Sequence, residues 1–409
     1  MPISTRSPDQ PKPEATTPRT TVDMVKAIAE KYSDTALPTT NKQFIVLQEH
    51  DTTPLKEKTQ LAMEATRQGF DESDAKSFLA ANVLHVMSAI SPSTSTSAWP
   101  YLGVVLISPK GIDDSRAFGD DIQRDVTWSV LHELGHINMA HLDKGKDRYS
   151  DYTFETLGEE YKAITGWERT LPKDLIDSLR AITVYKEPEL LPRGIFPSDA
   201  EYKSYVETRP LLNAQDVSNT IKTLHTLVGE TYADSFTVLS HAAKEGVKEA
   251  LVMADLIRDF RVVEAEGPIS SSTHDSSRGL AWLSTYLRSS AGEKLVDQLN
   301  QGSCDRECAQ NIHRTAMKFT EINVRRWAQE NGMEAPMANK LSAWVSDYYN
   351  EGERMPSQES TQIAKEPQVF AHTTDTIRAL SKDVKPSEEK VLELTRGKFM
   401  SDSAPSAPR

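Results

Sequence analysis

The chain has 409 residues, of which 38% are hydrophobic and 26% charged, with a formal net charge of −13. That acidity argues against nucleic acid or an anionic membrane as partner, and no apolar run approaches the roughly 20 residues of a transmembrane helix. The length allows two or three domains, or one large domain with insertions.

Residues 1–20 are rich in Ser, Thr and Pro and almost free of apolar side chains, so they cannot bury enough surface to order themselves. They read as a disordered leader, either a plain tail or the leader of an exported bacterial protein. No apolar core of a secretory signal is present, and the expected compartment is cytoplasmic. A helix is predicted over 21–31, then a pair over about 54–69 and 73–90. The second of the pair is amphipathic through Phe78, Leu79, Val83, Leu84, Val86 and Met87. A Ser/Thr-rich turn follows at 91–97. Residues 101–108 give the best strand signal, a β-branched run closed by Pro109 and Gly111.

Residues 126–142, VTWSVLHELGHINMAHL, contain His132-Glu133-x-x-His136. Residues four apart on a helix sit one turn above each other, so two imidazoles at this spacing can grip one zinc ion. Glu133 stands beside them and can take a proton from a metal-bound water. Val126, Val130, Leu131, Leu134, Ile137 and Met139 put apolar side chains on more than one face, which predicts a buried helix. Gly135 costs about 1 kcal/mol of helix propensity against Ala, and its small size allows another backbone to approach. An ordinary helix with a chance match is the competing reading.

Residues 145–212 are acidic and aromatic, then rich in proline, and read as an insertion of short helices and loops. Residues 224–239, LHTLVGETYADSFTVL, form the second key stretch, with Glu230 and Asp234 four apart in a helical pattern. A catalytic zinc site needs three protein ligands and one open position, and Glu230 is the preferred third ligand. Asp234, one turn later, can accept a hydrogen bond from a ligand histidine and fix its tautomer. A surface pair of acids on an amphipathic helix is the alternative. Glu155, Glu159, Glu160, Asp255 and Asp259 are rival ligands. The pattern with a third histidine six residues after His136 is rejected, because Leu142 occupies that position. His141 reads as a surface or supporting residue.

HELGH followed by ETYADSF resembles the gluzincin zinc peptidases, and most closely the CAAX-prenyl-protease and heat-shock-peptidase family. That resemblance implies zinc, Glu133 as base and Glu230 as ligand. The family also carries a later T-H-P…R segment, whose His and Arg help to bind the reacting carbonyl. Here the segment is Thr273-His274-Asp275-Ser276-Ser277-Arg278, with Asp275 in place of proline. The resemblance therefore implies His274 and Arg278 as oxyanion donors. The membrane helices of that family are absent, and the gap between the two motifs is longer than the family's, by an amount the 145–212 insertion accounts for.

Cys304 and Cys308 are the two cysteines, four apart in GSCDREC, and read as reduced, because a strain-free disulfide is not expected between two helical positions at that spacing. Residues 279–382 read as successive helical patterns, among them 280–299 and 305–330.

The expected fold is mainly α (α+β): a zincin-like core over 21–275 with a small sheet, the HExxH helix and a second ligand helix. A helical C-terminal region over 276–382 and a disordered tail over 383–409 follow. The expected activity is zinc-dependent hydrolysis of peptide bonds in a peptide or protein substrate, with Glu133 as proton acceptor. The alternative is a helical interaction protein with a structural or degenerate zinc site. Sequence leaves the oligomeric state open.

Overall fold

The structure, a computed structural model, describes residues 21–38, 43–47, 96–99, 104–109, 117–119, 121–140, 170–182, 184–186, 212–214, 217–266, 274–300, 303–350 and 368–372, with isolated positions at 112, 142, 167, 198, 200, 201 and 204. In chain order these give α1 (Thr21–Tyr32), a 3-10 turn (Ser33–Thr35), β1 (Gln43–Leu47), β2 (Ser97–Trp99), β3 (Val104–Ile107) and α2 (Ile122–Ala140). There follow α3 (Lys173–Arg180), β4 (Val184–Lys186), β5 (Leu212–Ala214), α4 (Val217–Glu245), α5 (Val247–Glu266) and α6 (Ser277–Leu287). The chain continues with α7 (Ser290–Leu299), α8 (Arg306–Glu330), α9 (Ala335–Asn350) and β6 (Gln368–His372). The described chain is therefore mainly α. None of these helices is long and apolar enough to cross a membrane.

α4 is the central helix, with α2, α5 and α8 packed along it. Leu224, Leu227, Val228, Tyr232, Phe236 and Leu239 are all buried, as expected of a helix that is apolar on most of its circumference. α1 docks on α2 through Val25, Ile28, Ala29 and Tyr32, an i, i+3, i+4, i+7 stripe. Gly246, in the left-handed region at φ 84°, ends α4 and lets α5 fold back against it.

The α2–α4 crossing depends on Gly135. A Cβ placed there would lie 2.8 Å from the Cα of Ala233 and 3.2 Å from its carbonyl oxygen. Both contacts are with the partner backbone at those atoms, so no rotamer change relieves them. Gly135→Ala is expected to cost about 1–3 kcal/mol by overpacking, despite the gain in helix propensity. Thermal unfolding of the variant checks this, and an unchanged or raised melting temperature contradicts the close crossing.

The strands pair in the order β2-β3-β1-β6, with β3 antiparallel to β2 and parallel to β1, and β1 parallel to β6. The strand predicted over 101–108 is thus flanked on both sides within its described part, and the outer strands are β2 and β6. The sequence reading had placed a turn near β2 and helix at β6. β4 and β5 form a separate antiparallel pair, β4 inside the 145–212 stretch expected to hold helices and loops and β5 starting at its last residue. Phe44, Val46, Val105 and Ile107 are buried, the alternation expected where one sheet face meets helices.

The predicted 280–299 helix is two helices. Ser289 caps α7 by accepting from the Gly292 N–H at 3.2 Å, and a Cβ on Gly292 would lie 2.1 Å from the Tyr286 carbonyl oxygen. The chain turns there because a continuous helix cannot make that approach. α6 and α8 both pack on α4, so the helices after 276 share the core of the preceding ones. The helix pair at 54–69 and 73–90, the leader and the tail lie outside the described residues.

Cys304 and Cys308 are joined in a disulfide, which corrects the reduced reading. Only Cys308 is helical. Asp305 is the N-cap of α8, its carboxylate accepting from the Cys308 N–H at 2.9 Å, so Cys304 precedes the helix. That brings the two Cα atoms to 5.2 Å, within the range a disulfide spans, where two helical positions had been assumed.

Candidate metal centre

The α2–α4 crossing that Gly135 permits brings both sequence motifs together. α2 presents His132 and His136 one turn apart, and α4 presents Glu230 opposite them with Asp234 one turn later. His132 Nε2 lies 3.1 Å from His136 Nε2 and 3.2 Å from Glu230 Oε2, and His136 Nε2 lies 3.5 Å from Glu230 Oε1. Zinc–nitrogen and zinc–oxygen bonds of 2.0–2.2 Å in tetrahedral geometry set neighbouring ligand atoms about 3.3 Å apart. The three separations bracket that value. Among the described residues, His132, His136 and Glu230 are the group whose ligand atoms converge in this way.

Asp234 is fully buried and organises the back of the site. Its Oδ1 accepts from His132 Nδ1 at 2.8 Å and from Trp128 Nε1 at 3.2 Å. Its Oδ2 accepts from Ser276 Oγ at 2.6 Å and from Arg261 Nε at 2.8 Å. The Nδ1 contact commits that nitrogen to carry a proton and leaves Nε2 for the converging group.

The charges are strongly coupled. Burial disfavours the charged form of His132, but Asp234 and Glu230 outweigh it and push its pKa up to about 10. Burial raises Glu230, while His274, His132 and His136 together hold its carboxyl well below the usual range. Burial likewise opposes Asp234, and Arg261 with His132 holds it low. His132 is therefore held in its protonated form by the two carboxylates it touches.

Glu133 sits on α2 between the histidines and is buried. His274 approaches the group, its Nε2 3.6 Å from Glu230 Oε1. Arg278 does not. Its guanidinium is held by Asp275 and by Glu330, with Nη2 2.6 Å from Glu330 Oε2. Asn323 fixes the His274 segment by donating to the Asp275 carbonyl at 2.9 Å and to Thr231 Oγ1 at 2.7 Å.

Of the rival ligands, Asp255 is engaged by Arg258 and Arg288, each at 2.9 Å, and Asp259 by Arg258 at 2.7 Å. Glu155, Glu159, Glu160 and His141 lie outside the described residues. Arg261, Ser276 and Trp128 were not singled out from sequence. Arg261 did carry a signal: with Ala250, Met253, Ala254 and Ile257 buried, it occupies the next place in the apolar stripe of α5. A cation where an apolar residue is due has a buried partner.

No family model matches the chain, and neither the curated proteins nor the solved structures contain a match.

Proposed function

We propose that the chain is a zinc-dependent metallopeptidase of the gluzincin type, with a zincin-like core that acts on peptide or protein substrates. One observation carries the reading: His132, His136 and Glu230, from two helices, bring a ligand atom each to within 4.8 Å of one another, with an acid next to His132 in the HExxH sequence. His132, His136 and Glu230 hold the metal, and Asp234 orients His132. A bound zinc supplies Lewis acidity, lowering the pKa of a coordinated water to about 7 and polarising the scissile carbonyl. The Glu133 carboxylate accepts the water's proton and delivers it to the leaving amine. His274 Nε2 stabilises the oxyanion that develops. A three-ligand set supports catalysis over a structural role, since structural zinc is closed by four protein ligands. The outer strand β2, in contact with α2, is where an extended peptide would add as a further strand.

Metal analysis with unbiased peptide-library cleavage tests the proposal. The protein should hold about one zinc per chain, and His132→Ala or His136→Ala should abolish uptake. Full zinc occupancy in either variant refutes the ligand set, and a zinc-loaded protein that cleaves nothing in the library refutes the activity.

Zinc uptake should also release a proton. His132 is protonated below about pH 10 in the metal-free site, and metal must displace its Nε2 proton. Affinity should therefore rise with pH, by about tenfold per unit between pH 6 and 8 for one displaced proton. Calorimetry in buffers of different ionisation enthalpy measures the release, and a proton count near zero contradicts the coupling.

A further inference from the structure

We propose that Arg261 is a positioning residue that clamps both carboxylates of α4, holding Glu230 through Oε2 so that the carboxylate does not bind a metal through both oxygens. The inference rests on the zinc reading above and extends it to how the third ligand binds.

The guanidinium of Arg261 spans two acids one helical turn apart. Nη2 lies 3.0 Å from Glu230 Oε2, and Nε lies 2.8 Å from Asp234 Oδ2. Nη2 is also 3.4 Å from Asp234 Oδ1. The side chain is about 5% exposed, and its Cζ stands 5.6 Å from the Trp128 ring centroid and 6.0 Å from that of Phe260. Two buried carboxylates this close repel each other, and a buried guanidinium without partners is equally unfavourable. Each solves the other's problem, and the rigid fork of Arg fixes both at once.

The consequence falls on Glu230. Its Oε1 faces His136 Nε2 at 3.5 Å and His274 Nε2 at 3.6 Å, while Oε2, which Arg261 holds, also lies 3.2 Å from His132 Nε2. The hydrogen bond from Arg261 makes Oε2 the weaker of the two oxygens as a donor to a metal. With Oε2 released, the carboxylate is free to bind through both oxygens and to fill the fourth position of the shell. Ser276 and Trp128 hold Asp234 independently of Arg261, so the loss of Arg261 frees Glu230 more than Asp234.

Arg261→Lys separates this role from simple charge balance, because Lys keeps the cation while a single ammonium cannot bridge both acids. Arg261→Gln keeps a planar donor without the charge. Cobalt(II) loaded in place of zinc reports the shell, since its visible d–d band is strong in four-coordinate sites and weakens when a fifth ligand enters. Each variant should show a weakened cobalt band and bind zinc about 10- to 100-fold less tightly in chelator competition, with wild-type circular dichroism. The measurement is read on whichever variant keeps that dichroism. Variants with the wild-type band and zinc affinity within about twofold overturn the proposal, and loss of fold in both overturns it in favour of a purely structural salt bridge. Wild-type protein that takes up neither cobalt nor zinc sinks the metal reading itself, whereas normal wild-type loading with unchanged variants sinks only the role of Arg261.

Discussion

Glu133→Gln should leave zinc content and fold intact while lowering turnover by about 100- to 10,000-fold, the range a general base contributes. The amide has nearly the shape of the carboxylate, so the packing of α2 against α4 is unaffected. What it loses is the capacity to accept a proton. Glu133 is buried on the helix that carries both histidines, so its carboxylate meets a low-dielectric setting. The decisive comparison is single-turnover cleavage by wild type and variant at equal zinc occupancy. A variant that cleaves at the wild-type rate rules out Glu133 as the base, and loss of zinc from it shows instead that the residue helps to hold the metal.

The convergence of His132, His136 and Glu230 was readable because local spacing fixes much of it. HExxH and ExxxD are each set by the rise of a single helix, and both helices formed close to where periodicity placed them. Even the crossing had a signal, since Gly135 and Ala233 are the small residues through which the two backbones approach. What sequence could not supply was anything set by partners far along the chain. Arg278 looked like a site residue by order alone, and Glu330, on a helix much later in sequence, captures it. Arg261 carried only the signal of a cation in an apolar stripe, and the fold shows that its partner is Asp234. The cysteine pair failed for a local reason. Assigning both residues to a helix missed the cap at Asp305, and the geometry of a pair four apart changes when one member precedes the helix. The strands were the weakest reading, because pairing such as β1 with β6 joins segments more than three hundred residues apart, and no short-range pattern encodes it.

Glu230→Ala should reduce zinc affinity by more than the roughly 100-fold that loss of a supporting group costs, because it removes a ligand atom outright. The two histidines that remain cannot close a three-ligand site, and no described acid stands in reserve: Asp255 and Asp259 are already bound to Arg258. Asp234→Ala should be milder at the metal, about 10- to 100-fold, since His132 keeps its place on α2 but loses the acceptor that fixes Nδ1. It should be the harsher change for the fold. Asp234 also takes Arg261 and Ser276, and removing one partner of a buried ion pair costs about 3–5 kcal/mol. The two variants are thus expected to rank in opposite order by zinc affinity and by melting temperature of the metal-free protein. Glu159→Ala, in the rival cluster nearer in sequence, should change neither. Chelator competition for zinc and thermal unfolding without metal give both rankings from the same preparations. If Glu159→Ala strips the zinc while Glu230→Ala retains it, the third ligand comes from the 145–212 segment and the gluzincin assignment fails, although the histidine pair on α2 remains able to bind metal.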